Sequence, residues 1–137
     1  MRIGMMLSGV MLIFPVMAAE LTLRVQGENL HGKEIRVALY DSALDFPDND
    51  DKAKTAKAVA VGNEVTFRCA DLSPGVYAIA AFADGKGNGK LDRNFLSIPT
   101  EPYGFSRDAR GLTSAPDFAD AAFRIADTDI TQTFRLQ

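Results

Sequence analysis

The chain has 137 residues, 47% of them hydrophobic, and its 18 acidic and 15 basic side chains give a net charge of −3. That is the length of one domain, with enough apolar material for a core that needs no staples. A mildly acidic balance argues against nucleic acid or an anionic membrane as the main partner, and one histidine with one cysteine excludes an intramolecular disulfide and the usual zinc ligand sets.

The chain opens with Met1-Arg2, an apolar run from Met5 to Met17, and the small-residue exit Val16-Met17-Ala18-Ala19. A charged start, a short greasy core and a small-residue exit predict a secretory signal peptide over residues 1–19. Cleavage is expected after Ala18 or Ala19, and the run is too short for a mature anchor. Residues 20–137 are then a single domain of a periplasmic or secreted bacterial protein, with no membrane insertion in the mature form.

Beyond the leader, residues 21–26 alternate, with Leu21, Leu23 and Val25 on one side and Thr22, Arg24 and Gln26 on the other. Period two marks a strand with one face on a core. Residues 35–40 repeat the pattern, and the turn-rich link from Glu28 to Lys33 is short enough for a hairpin. The segment "KAKTAKA", residues 52–58, is read as at most one turn of helix, because its apolar positions are all alanine. Val65, Phe67 and Cys69 alternate with polar neighbours, so Cys69 reads as a small core residue. Residues 76–83 are apolar on both faces, as a central strand is. Residues 122–126 and 130–136 alternate again, with Gln132 the one polar interruption on the inward side.

The whole predicts an all-β fold: one antiparallel β-sandwich of immunoglobulin-like or transthyretin-like type. In "DLSPGVYAIAAF", residues 71–82, Pro74-Gly75 forces a turn. The Tyr77 ring is expected over the core edge, with its hydroxyl bonded to backbone near that turn.

Four stretches in order, "IRVALYDS", "DLSPGVYAIAAFADGKGNGKLD", "NFLSIPTEPYGFS" and "PDFADAAFRI", together resemble the bacterial secreted proteins of domain-of-unknown-function family 2141. The similarity runs from about Leu21 to Leu136. It implies an exported bacterial domain, an immunoglobulin-like sandwich, and no established activity. In relatives the glycine-rich loop usually resembles Asp-x-Asn-Gly-Asn-Gly-x-Leu-Asp. Here Gly85 and Lys86 depart from that pattern.

The loop "DGKGNGKLD", residues 84–92, is the main chemical candidate. Calcium takes six to eight oxygens, supplied in helix-flanked loops from positions 1, 3, 5, 7, 9 and 12. Asp84, Asn88 and Asp92 fall at positions 1, 5 and 9, and Lys90 offers its carbonyl at position 7. Position 3 is Lys86, a cation, and position 12 is Phe95, so no bidentate carboxylate closes the shell. A remote acid, Glu101 or one from Asp45 to Asp51, would have to fill in, and affinity would be about 10⁻⁴ to 10⁻³ M, as in extracellular modules. The reading favoured over a metal site is a plain turn, since Gly87, Asn88 and Gly89 adopt positive φ readily.

The long segment 94–115 carries Phe95, Tyr103 and Phe105, read either as a ligand or partner loop for a glycan or envelope protein, or as plugs over the sandwich end. Ser106 in "GFSRD" lacks the second glycine of a nucleophile elbow, and His31 sits in a distant turn. The acids Asp45, Asp48, Asp50 and Asp51, followed by Lys52, Lys54 and Lys57, read as a solvated loop. The sequence therefore indicates an exported, non-enzymatic binding or structural accessory domain of the cell envelope, with calcium the one candidate cofactor. A small glycosidase-like hydrolase built from clustered carboxylates is the alternative.

Overall fold

The structure, a computed structural model, describes residues 19–85, 101–111 and 115–137. Eight strands carry it in chain order: β1 (Ala19–Gln26), β2 (Glu34–Tyr40), β3 (Lys54–Val59), β4 (Glu64–Leu72), β5 (Gly75–Asp84), β6 (Tyr103–Phe105), β7 (Phe123–Ile125) and β8 (Ile130–Arg135). They form two sheets, one ordered β4-β1-β8 and the other β3-β2-β5-β6, with β7 also on β5. Apart from isolated turns, the helix content among the described residues is α1 (Phe118–Ala121).

Alternation decides which face each strand buries. Leu21, Leu23 and Val25 of β1, Ile35, Val37 and Leu39 of β2, and Tyr77, Ile79, Ala81 and Ala83 of β5 meet Phe123, Ile125 and Phe134 in one cluster that spans both sheets. Each large side chain so buried stabilises the fold by roughly 1.5–3 kcal/mol. Cys69 packs half-buried against this cluster beside Val65 and Phe67, because β4 is an edge strand. The Tyr77 hydroxyl donates to the Ser73 carbonyl at 2.6 Å, closing the turn as its sequence context predicts.

A second cluster covers part of the outer face of the β2–β5 sheet. Tyr40, Phe46, Ala78, Phe105 and Ala121 form it, with Tyr103 and Phe118 packed against it. Edge-to-face aromatic pairs hold it: Tyr40 with Phe46 at 5.6 Å, and Phe46 with both Phe105 and Phe118 at 5.8 Å. This explains why β5 is apolar on both sides: it has a core beneath it and a smaller one above.

The structure corrects several local expectations. β1 and β2 are not a hairpin, since they lie in different sheets. Both edges of β1 are already taken by β4 and β8, and Leu30, the apolar residue of the link, is fully buried instead of marking a free tip. Most of "KAKTAKA" is strand β3, not helix. It pairs antiparallel with β2, where tertiary hydrogen bonding overrides alanine's helical preference. The pairing is not antiparallel throughout, for β1 and β8 run parallel. The segment expected to be a loop around residue 103 contributes β6, which adds to the edge of β5.

The free side of β5 is served in two pieces, by β6 along residues 80–82 and by β7 along residues 75–77. Between them the fully buried Ser106 makes the splice. Its hydroxyl accepts from the Ile79 amide at 3.0 Å and donates to the Ala121 carbonyl at 2.5 Å. The two sheets are also stitched at this edge. Tyr103 and Gln137 exchange backbone hydrogen bonds at 3.1 and 2.9 Å, and the Asp108 carboxylate accepts from the Arg135 amide at 2.8 Å. Gly104 permits this approach, because a Cβ there would overlap the Arg135 carbonyl.

Candidate functional site

Among the described residues, the end of the outer sheet face around Asp84 lies outside the second cluster. Register places Val59, Glu34 and Asp84 in one row across β3, β2 and β5. The next row is Lys57, Arg36, Phe82 and Tyr103. All of these occupy positions that alternate away from the core residues Ile35, Val37, Ala81 and Ala83.

Arg36 organises the rows. Its Nε donates to Asp84 Oδ2 at 3.0 Å and a terminal nitrogen reaches Glu34 Oε1 at 2.8 Å. The Asp84 side chain is completely shielded from solvent while that of Arg36 keeps 28% exposure, so the pair sits at the sheet surface with its acid underneath. A buried carboxylate needs such a charge-assisted bond. At the next residue, the Glu101 carboxylate accepts from the Gly85 amide at 2.8 Å, reaching back over 16 residues of sequence.

Of the predicted calcium ligands, Asp84 is therefore at the base of the glycine-rich segment, bonded to Arg36. Asn88, Lys90 and Asp92 lie outside the described residues, as do Lys86 and Phe95. Of the remote acids considered, Glu101 is the one brought to the start of the loop, at Gly85. The acidic stretch 45–51 is at the opposite end of β2, where Asp50, Asp48 and Asp45 surround Tyr40. Glu34 and Tyr40 are the two ends of β2, about 20 Å apart at the usual rise. Burial, reinforced by those carboxylates, pushes the Tyr40 hydroxyl up to about 12. Among the described residues, no group of three His, Cys, Asp or Glu side chains is placed to hold a metal.

The aromatic candidates have defined places. Phe105 is buried at 6% exposure in the second cluster, and Tyr103 is half-buried beside it with ring centroids 5.8 Å apart. The Arg110 guanidinium lies 4.9 Å above the Tyr103 ring and donates to the Tyr103 carbonyl at 3.0 Å. The other chemical candidates are engaged elsewhere. His31 Nδ1 accepts from the Gly62 amide at 2.9 Å in an exposed turn, whereas Ser106 is committed to Ile79 and Ala121.

Sequence reasoning did not single out Arg36, since its importance depends on which β5 residue stands beside it. Its only signal is an outward-facing arginine, on β2. Together with Lys33 and Lys57 it lines a shallow groove of about 450 Å³ that also touches Gly32, Glu34, Val59, Asp84 and Gly85.

These features define an all-β fold of two sheets, with an ion-paired row on its outer face at the root of a glycine-rich segment. The chain belongs to the family described as "Uncharacterized protein conserved in bacteria (DUF2141)", whose model matches residues 24–133. No curated protein and no solved structure matches it. Among the described residues no helix is long and apolar enough to cross a membrane.

Proposed function

We propose that this is an exported, non-enzymatic binding or structural accessory domain of the bacterial cell envelope, built as an immunoglobulin-like sandwich. Its glycine-rich loop takes calcium weakly. The observation that supports the reading is the Glu101 carboxylate on the Gly85 amide, immediately beside Asp84. That bond brings an acid distant in sequence to the backbone where the loop leaves β5, a candidate for the remote carboxylate that residues 84–92 lack.

Asp84 and Glu101 would hold the ion from the described side, and calcium would supply a fixed positive charge that orders the loop for an envelope protein or glycan. The Arg36 contact to Asp84 competes for the same carboxylate and accounts for weak binding. Calorimetric titration of the metal-stripped protein should give one calcium site near 10⁻⁴ to 10⁻³ M, about the range of extracellular modules. Glu101→Gln should weaken it, and Asp48→Asn, at the far end of β2, should not. Equal effects from the two changes would remove the site from this position. No observation favours the carboxylate hydrolase.

A further inference from the structure

The groove beside Asp84 has a charge arrangement that folding alone does not call for. Arg36 and Lys57 are direct neighbours across β2 and β3, and like charges facing each other in a sheet are destabilising. Lys33 adds a third cation to the same concavity, against the two carboxylates Glu34 and Asp84 that also line it, on a chain whose net charge is negative.

The three cations are not equivalent. Arg36 is clasped by Glu34 and Asp84, which engage its Nε and one terminal nitrogen. Neither Lys33 nor Lys57 makes an ion pair with any described residue. Planar bidentate recognition of a carboxylate needs a free guanidinium, while ammonium groups act as point charges suited to a compact, highly charged anion.

We propose that this groove is a phosphate-binding subsite, with the Lys33 and Lys57 ammonium groups as its donors and Arg36 fixed beside them. At about 450 Å³ it has room for a phosphate monoester carried on a small sugar or polyol, within the usual size of ligand pockets. The two glycines at its rim, Gly32 and Gly85, place no side chain over the opening. The site uses none of the calcium-loop residues as donors, so its test is run without calcium.

The experiment is an amide chemical-shift titration of the ¹⁵N-labelled protein in chelator, with inorganic phosphate, glucose 6-phosphate and acetate as separate probes. Saturable shifts confined to Gly32, Lys33, Lys57 and Gly85 are expected with both phosphates and not with acetate. Tighter binding of the sugar phosphate would identify an esterified ligand, and equal binding would identify free phosphate. Lys33→Ala and Lys57→Ala should each weaken binding about tenfold, the loss of one charge-assisted bond, with the spectrum otherwise folded. Lys54→Ala, which removes the same charge from β3 outside the groove, should leave affinity within about twofold. Absence of saturable shifts, acetate binding as well as phosphate, or equal loss in Lys54→Ala would each overturn the proposal.

Discussion

Replacing Ser106 with alanine tests the splice between β6 and β7. The hydroxyl is fully buried and serves two backbone groups at once, the Ile79 amide at 3.0 Å and the Ala121 carbonyl at 2.5 Å. Ile79 is 1% exposed and Ala121 wholly buried, so water does not replace the lost oxygen without opening the structure. A buried polar group left unpaired costs about 1–3 kcal/mol, and two of them should cost roughly 3 kcal/mol after partial relaxation. Domains of this size have about 5–15 kcal/mol in total, so the change is a large share. Urea unfolding followed by far-ultraviolet circular dichroism should show the midpoint fall with unchanged slope. A loss under about 1 kcal/mol would mean that the hydroxyl is not what satisfies these groups.

Three further changes probe the rest of the frame. Gly104→Ala drives a methyl into the Arg135 carbonyl and should cost about 1–3 kcal/mol by forcing β6 away from the end of β8, read as a lower thermal midpoint. Tyr77→Phe deletes the 2.6 Å bond to Ser73 and should cost about 1 kcal/mol in the same urea assay. Tyr40 titrates near 10.0 in the unfolded chain and at about 12 when folded. Its contribution is thus fully present below pH 10 and lost as pH rises through 12, because only the unfolded state sheds the proton in that window. Tyr40→Phe should flatten the fall of stability between those two values, measured by unfolding at stepped pH.

The strands were legible because their alternation is unbroken: Leu21, Leu23 and Val25 could only face one core. The double-sided apolar character of residues 76–83 likewise announced a covered strand. Pairing was less legible, because register is a property of two segments. Nothing local in Glu28 to Lys33 says that the chain crosses to another sheet, although buried Leu30 was the available hint. β3 was missed because alanine and lysine favour helix until an open edge of β2 offers hydrogen bonds.

At the candidate site, composition singled out Asp84 and named Glu101 as one of several acids. Only the return of the chain after residue 100 selects Glu101 over the cluster at 45–51. Arg36, and the structural role of Ser106, escaped for the same reason. Their partners, Asp84 and Ala121, are far away in sequence, and neither residue type is unusual where it stands.

The most direct test of the account is the thermal unfolding of the metal-stripped protein as calcium rises, with magnesium as control. A ligand that binds only the folded state must stabilise it, by about 1.4 kcal/mol at ten times its dissociation constant, and so raise the midpoint. The account predicts a calcium-specific rise that Asp92→Asn and Glu101→Gln each diminish. No shift at about 10 mM, ten times the weakest affinity expected of an extracellular site, or an equal shift with magnesium, would contradict it.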